Sequence, residues 1–346
     1  MNKEFMIALS QLEQEKEISK EILLEAIEAS LISAYKRIFH STQNVRVAID
    51  DVTGEIKVWA KKVVVLEVQN DVFEIALCEA EKLEPNIELN TNIDVEVTPA
   101  DFGRIAAQTA KQVVAQRIRE AEKEKLYNDF SAREGELIIG VHRRSDSRNY
   151  FIDLGKIEAV LPFSEVLPGE KFAQGARVKA YLTNVESSTR GPKVFLSRTH
   201  PDFLKRLFEL EVPEIEEGIV EIISVTREPG YRAKIAVSSN NTDVDPVGAC
   251  VGYLGNRVQA VVNELRGEKI DVVRWSDVIE EFVANSLGPT KVSGVSINDE
   301  VKTAHVTVPD NQLSLAIGRD GQNARLAARL TNWKIDIKSE TESKSR

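Results

Sequence analysis

Residues 313–330 read Leu-Ser-Leu-Ala-Ile-Gly-Arg-Asp-Gly-Gln-Asn-Ala-Arg-Leu-Ala-Ala-Arg-Leu, and the fold is decided here. Gly318, Arg319, Asp320 and Gly321 form a Gly-x-x-Gly loop between two apolar segments. Leu313, Leu315 and Ile317 lead in, and Leu326, Ala327 and Leu330 follow at helical spacing. Glycine lacks a Cβ, so it accepts left-handed backbone angles and close approach by another backbone. A helix that opens at such a loop presents free N–H groups with partial positive charge. Arg319 sits in the loop, and Gln322 and Asn323 open the helix. Arg325 and Arg329 lie on a different stripe from Leu326 and Leu330. The set suits an anionic chain such as a nucleic-acid backbone.

A lone Gly-x-x-Gly is a weak signal, because many are plain helix–turn–helix corners. Here the pattern occurs twice. Gly252, Tyr253, Leu254 and Gly255 stand in the same frame, after Ala249-Cys250-Val251 and before a Val258, Val261, Val262, Leu265 stripe. Each loop and helix runs into the same tripeptide, Lys269-Ile270-Asp271 and Lys334-Ile335-Asp336. The offset is 66 residues at the glycines and 65 at the tripeptide. A repeated loop, helix and strand implies two copies of one fold. The chemistry is that of the KH module, whose loop clamps about four nucleotides. Two tandem type II KH domains are expected, at 201–285 and 286–346. The first loop has no basic residue between its glycines, so Arg257 is expected to compensate.

The chain has 346 residues and a net charge of −10, which at first argues against nucleic acid. The charge is uneven, however. Residues 1–130 hold 16 Lys/Arg against 24 Asp/Glu, a balance of −8, which leaves −2 for the rest. An acidic front end repels RNA and suits a basic protein surface. The near-neutral rear can carry local basic patches, with modest, strongly salt-dependent RNA affinity. The two cysteines, Cys78 and Cys250, lie far apart, outside any metal-ligand spacing. No window is apolar enough to span a bilayer, so a soluble, cytoplasmic protein with no membrane contact is expected.

Between residues 1 and 130 the pattern is α/β. Apolar residues from Ile18 to Phe39 recur at helical spacing. Strands are expected at 45–49, 55–59, 63–68 and 92–97, with a hairpin turn at 50–54. A second long helix runs from Asp101 to about Tyr127, ending in the solvated charged run Glu120–Lys125. Residues 132–200 hold five short strands with glycine-bearing turns, which suits an OB-type barrel. There Phe151 faces away from the core set Tyr150, Ile152 and Leu154, where a base could stack. Arg143, Arg144, Arg148, Lys156 and Lys193 supply charge nearby. Arg198-Thr-His-Pro-Asp-Phe then passes straight into the first repeat, so barrel and repeats are expected to present one continuous surface. The fold class is thus multidomain α+β.

Catalytic signatures are missing. His40, His142, His200 and His305 are isolated. Nothing matches a P-loop, a nucleophile elbow or a dinucleotide fingerprint. Acidic pairs such as Glu216-Glu217 and Glu280-Glu281 read as solvated surface, and Trp59, Trp275 and Trp333 as core anchors. No catalytic residue, metal or cofactor is expected. The rival reading is an RNA-processing enzyme, since some exoribonucleases carry KH and OB-type modules. Residues 1–130 are short for such a catalytic core and lack clustered carboxylates. The modules alone also admit a ribosome-associated RNA chaperone.

The order of α/β front end, barrel, KH, KH resembles the NusA family of bacterial transcription elongation and termination factors. The resemblance runs over nearly the whole chain. It is strongest at Leu196-Ser-Arg-Thr-His-Pro, at 203–215, at Asp245-Pro-Val-Gly-Ala-Cys-Val-Gly and at Pro309-Asp-Asn-Gln-Leu-Ser-Leu-Ala-Ile-Gly. It implies an amino-terminal domain that docks on the RNA polymerase β-subunit flap beside the RNA exit. It also implies a ribosomal S-one type barrel and tandem KH domains that hold nascent single-stranded RNA. Pausing, intrinsic termination and antitermination follow as roles, with other antitermination factors as further partners of a monomeric protein. Some relatives carry acidic repeats after the second KH domain; this sequence stops at Arg346, so autoinhibition by such repeats is not expected.

Overall fold

The structure is a computed structural model and describes residues 3–16, 18–38, 44–50, 53–100 and 102–344. It divides into two compact units, Met1–Lys125 and Leu126–Arg346. The first holds α1 (Lys3–Lys16), α2 (Lys20–Ile38), β1 (Val45–Ile49), β2 (Ile56–Val65), β3 (Glu74–Ala76), α3 (Leu77–Leu83), β4 (Asn92–Glu96) and most of α4 (Phe102–Ser131). On α2, Leu23, Ile27, Leu31, Ala34 and Tyr35 are buried at helical spacing. They meet Phe102, Ala106, Ala110 and Val114 of α4 and the inner face of β1 and β2. Tyr35 packs edge-on to Phe102 at 5.8 Å. The expected strands at 55–59 and 63–68 are one strand, β2, which pairs with β1 and β4 antiparallel and with β3 parallel. No glycine or proline interrupts Ala60-Lys61-Lys62, so nothing stops the strand there. A satellite core of Val64, Ile75, Ala80 and Ile93 lies under β3 and α3, elements too short to announce themselves by periodicity. Phe39, His40 and the turn residues Asp51 and Val52 lie outside the described residues.

The second unit begins with the last turns of α4. Phe130 is buried in the barrel core, with Leu126 and Tyr127 packed against it. The compact unit that holds the barrel therefore begins at Leu126. The barrel is β5 (Leu137–Ser145), β6 (Asn149–Asp153), β7 (Glu158–Pro162), β8 (Arg177–Glu186) and β9 (Lys193–Ser197), closed in the order β5-β6-β7-β9-β8. The one parallel pair, β7 with β9, closes it as in an OB-fold. Gly140 is required by that closure: a Cβ there would stand 2.4 Å from Ile152 Cγ2 and 2.9 Å from the Asp153 carbonyl.

Two copies of one topology follow. The first is α5 (Pro201–Glu211), α6 (Pro213–Glu216), β10 (Val220–Glu228), β11 (Arg232–Ser239), α7 (Pro246–Val251), α8 (Asn256–Glu264) and β12 (Lys269–Arg274). The second is α9 (Ile279–Ser286), β13 (Gly294–Asn298), β14 (Thr303–Val308), α10 (Leu313–Ile317), α11 (Gln322–Thr331) and β15 (Lys334–Ser339), followed by α12 (Glu340–Lys344). In each, the middle strand is antiparallel to the first and parallel to the last, with a helix ahead of the sheet. That is the type II KH arrangement. The repeated Lys-Ile-Asp now has a reason. Asp271 lies opposite Lys234 and accepts from it at 2.7 Å, while Asp336 lies opposite His305 at 3.2 Å. Burial lowers the Lys234 pKa, and the Asp271 carboxylate partly restores it.

Buried ion pairs fix the barrel to the first copy. Arg198, in the short junction, is 2% exposed. It donates to Glu170 at 2.8 Å, to Glu264 at 3.1 Å and to the Lys179 carbonyl. Arg227 pairs with Glu268 at 2.7 Å and donates to the carbonyls of Arg198 and His200. Removing one partner of such a pair strands a buried charge at about 3–5 kcal/mol. The second copy packs on the first through helix and sheet. Phe282 and Leu330 cover Ala236 and Val273, with half-buried Trp275 beside them. Ser224 and Thr226 of β10 donate to the Leu330 and Leu326 carbonyls of α11. Of the tryptophans read as core anchors only Trp333 is fully buried, while Trp59 is half-buried beneath the Arg46 guanidinium.

Candidate nucleic-acid interface

Both loops have the same backbone. Gly252 and Gly318 sit at φ 75°, ψ 174° and φ 75°, ψ 172°. Leu254 and Asp320 share a left-handed conformation, at φ 49° and 51°. Gly255 and Gly321 then start α8 and α11 from left-handed caps at φ 76° and 73°. The first glycine is needed for space as well as angle. A Cβ on Gly318 would stand 2.9 Å from the Asn323 backbone nitrogen, and one on Gly252 would stand 2.4 Å from Asn256 Oδ1. The first N–H groups of α8 and α11 are taken by the loops themselves: Asn256 N donates to the Tyr253 carbonyl, Gln322 N to the Arg319 carbonyl, and Arg257 N to Asn256 Oδ1 at 2.9 Å, so each cradle offers an anion the positive end of a helix.

The tips differ. Tyr253 and Leu254 are 83% and 89% exposed, an apolar tip. Arg319 and Asp320 are exposed, and among the described residues no acidic partner is seen for Arg319. Arg257, the expected compensation for the first loop, is engaged elsewhere. It donates to both Glu214 oxygens, at 3.1 and 2.9 Å, and to the Ala249 carbonyl at 2.7 Å. Burial opposes ionisation of Glu214, but its hydrogen bonds, including that from Arg257, outweigh this and hold its carboxyl below the usual range. Asn323 occupies the equivalent position and is 3% exposed. Its Nδ2 donates to the Leu287 and Ala316 carbonyls, so its amide nitrogen is committed to the fold. Both side chains satisfy a carbonyl left open at the end of the preceding short helix.

Gln322 and Arg325 are tied to Glu228 on β10 of the first copy. Gln322 donates to its Oε2 at 2.7 Å and Arg325 to its Oε1 at 2.8 Å. Burial disfavours the charged form of Glu228, yet these bonds prevail and lower its pKa. Arg329, on the same helix, is exposed. Of the cations read as RNA contacts, the fold thus leaves Arg319 and Arg329 open and commits Arg257 and Arg325.

On the barrel, Phe151 does face away from the buried Ile152, as alternation requires. Its ring is not open, however. The Arg144 guanidinium lies 3.7 Å from the ring centroid and pairs with Glu158 at 2.6 Å. Arg143 pairs with Asp153 at 2.8 Å and Lys156 with Asp129 at 3.8 Å. Arg148 and Lys193 are exposed. Sequence reading missed the aromatic group that gathers on the core side of this strand. Tyr150 gathers His142, Phe163 and Phe172 at 5.0, 4.8 and 5.2 Å, with Phe163 partly exposed. It also missed Glu214 and Glu228, because a lone glutamate far along the chain gives no pairing signal. Among the described residues no group of three or more His, Cys, Asp or Glu could hold a metal ion. Burial pushes the Cys250 thiol up to about 12, which leaves it inert.

A closed five-stranded OB barrel joined without a spacer to two type II KH copies, each with a Gly-x-x-Gly cradle, defines a nucleic-acid-binding regulatory protein. Comparison with known proteins narrows the class. A family model described as the NusA N-terminal domain matches residues 4–124. The NusA-like first and second KH domains match residues 198–275 and 279–345. The transcription termination/antitermination protein NusA of Halalkalibacterium halodurans is 59% identical over 343 residues, 99% of this chain and 90% of that protein. The Bacillus subtilis protein of the same name is 56% identical over 344 residues, 99% of this chain and 93% of its own. That of Thermus thermophilus is 41% identical over 346 residues, covering 97% and 89%. The chain belongs to the NusA family of transcription termination/antitermination proteins.

Proposed function

We propose that this protein bridges RNA polymerase and nascent single-stranded RNA, and so modulates pausing, intrinsic termination and antitermination without catalysing a reaction. The observation that carries the reading is the pair of matching Gly-x-x-Gly cradles in one compact unit with an OB barrel. Family membership supplies the transcriptional setting. The acidic front unit docks on protein, at the polymerase β-subunit flap near the RNA exit, because a strongly negative surface repels RNA. Docking raises the concentration of the barrel and KH loops along the emerging strand, so weak contacts suffice. The protein acts as a monomer in the cytoplasm, and other antitermination factors join it. The proposed working regions are the front unit, the barrel to residue 200, the first KH domain to 285 and the second beyond.

Two fragments test this. Cutting between Lys125 and Leu126 keeps Phe130 with the barrel core. Residues 1–125 should bind polymerase and slow it at hairpin pauses without binding free RNA. Residues 126–346 should bind RNA without changing pausing at the same concentration. The docking role fails if the rear fragment alone prolongs pauses as well as the whole chain. Shortening of RNA by the purified protein with Mg²⁺ would overturn the non-enzymatic reading.

A further inference from the structure

The turn between β10 and β11 is Pro229-Gly230-Tyr231, and it is held from three sides. Gly230 N donates to Glu268 Oε2 at 2.7 Å, on the first KH copy. A Cβ on Gly230 would stand 2.6 Å from Pro168 Cδ of the barrel, so the barrel closes over the turn. Glu228, at its entry, receives Gln322 and Arg325 from the second copy. Despite this anchoring, the Tyr231 side chain is not packed away. It is 64% exposed and has no role in any core cluster.

The ring lines a cleft of about 650 Å³ whose other wall is the second Gly-x-x-Gly loop, with Gly318, Arg319 and Asp320. Arg232 and Lys269 stand on the Tyr231 side. Arg232 is paired with Asp271 at 2.9 Å. Lys269 is exposed, and among the described residues no acidic partner is seen for it or for Arg319. The cleft therefore combines one exposed aromatic face, two open cations and a glycine loop at the positive end of α11. A flat ring suits a base; the loop and cations suit the phosphate next to it.

We infer that this cleft holds one nucleotide of a single-stranded RNA, and that both KH copies build it. The base stacks on Tyr231 of the first copy, while the adjoining phosphate lies on the second loop between Arg319 and Lys269. This rests on the RNA reading above and extends it, since neither copy alone supplies the site. Its consequence is a fixed register: the strand crosses from one copy to the other at a set nucleotide, because the turn carrying Tyr231 is anchored. A fixed platform also loses little freedom on binding.

The test is titration of the full chain with an unstructured RNA of one sequence, roughly twelve nucleotides long. Wild type, Tyr231→Ala, Tyr231→Phe and Arg319→Ala are compared, and the RNA carries an abasic site at each position in turn. Tyr231→Ala should weaken binding roughly 5- to 150-fold, the loss of one stacked base. Tyr231→Phe should bind like wild type, and melting temperatures should be unchanged because the ring is exposed. At one RNA position the abasic change should weaken wild type but not weaken Tyr231→Ala further. Arg319→Ala should lower the salt dependence, and Tyr231→Ala should leave it alone. If Arg319→Ala weakens binding while Tyr231→Ala does not, the shared site is wrong and the RNA reading survives. If abasic effects and Tyr231→Ala add at every position, the stacking assignment is wrong. If the wild-type chain does not bind the RNA at all, the functional reading itself falls.

Discussion

The two KH copies share a backbone and differ in almost every side chain that a ligand would meet. Their loops agree to within a few degrees at both glycines and at Leu254 and Asp320. Yet one tip is Tyr253-Leu254 and the other Arg319-Asp320. The equivalent positions Arg257 and Asn323 both staple the preceding helix, one through a cation and one through a buried amide. The comparison teaches that a Gly-x-x-Gly motif determines a cradle, while its charge is set separately. It also teaches that basic residues near the motif are as easily committed to the fold as to a ligand.

The largest effect should come from the glycines themselves. In Gly318→Ala the new Cβ meets Asn323 Cβ at 2.8 Å and its backbone nitrogen at 2.9 Å, on a left-handed residue. Backbone cannot swing aside, so the change should lower stability by about 3 kcal/mol. In Gly252→Ala the nearest atoms are Asn256 Oδ1 and Arg257 Cγ, side-chain atoms that can give by more than the backbone nitrogen met at Gly318, although Arg257 is held at its guanidinium. The loss there should be about 2 kcal/mol, mainly from the backbone angle. Thermal melting of both variants decides. Equal losses would mean that the backbone angle alone demands glycine.

Next is the charge difference. Arg319→Asp places two adjacent carboxylates where a phosphate would lie, so RNA affinity should fall at least about tenfold at moderate salt. Leu254→Asp should weaken binding less, by about threefold. Equal losses would show that both loops carry similar phosphate load through their backbone N–H groups.

The docking of one copy on the other offers a pH test. Glu228 has a lowered pKa in the fold: burial opposes its charge, and the bonds from Gln322 and Arg325 overcome that opposition. A depressed carboxylate contributes stability above its unfolded pKa and loses it as pH falls through the lowered folded value. Wild type should therefore exceed Glu228→Gln by about 1 kcal/mol at neutral pH. The gap should close below the ordinary carboxylate range. Denaturant melts followed by fluorescence of Trp275, which packs between the copies, would read it. A gap that persists at low pH would assign the stabilisation to packing.

The smallest effect belongs to the barrel. A base reaching Phe151 must first displace Arg144 from a 3.7 Å contact. Phe151→Ala should therefore lower RNA affinity by less than about fivefold, the low end of the stacking range. It should lower stability by about 1 kcal/mol through the lost cation–π contact. A tenfold or larger loss of affinity would show that Arg144 gives way readily and that the barrel matches the second loop in importance.

Local pattern was enough for much of this molecule. Period-two alternation separated Phe151 from Ile152, and helical spacing separated Leu326 and Leu330 from Arg325 and Arg329. The doubled Gly-x-x-Gly and Lys-Ile-Asp announced two copies of one fold, because left-handed angles and strand pairing select residue types locally. Tertiary structure decided the rest. It carried α4 into the barrel core through Phe130, and it fused residues 56–65 into one strand. It bound Arg325 to Glu228 across 97 residues of sequence and brought Tyr231 to a loop almost 90 positions away. Those outcomes depend on which surfaces meet. An ion pair or a shared cleft exists only once distant segments are packed together, so no spacing within the sequence encodes it in readable form.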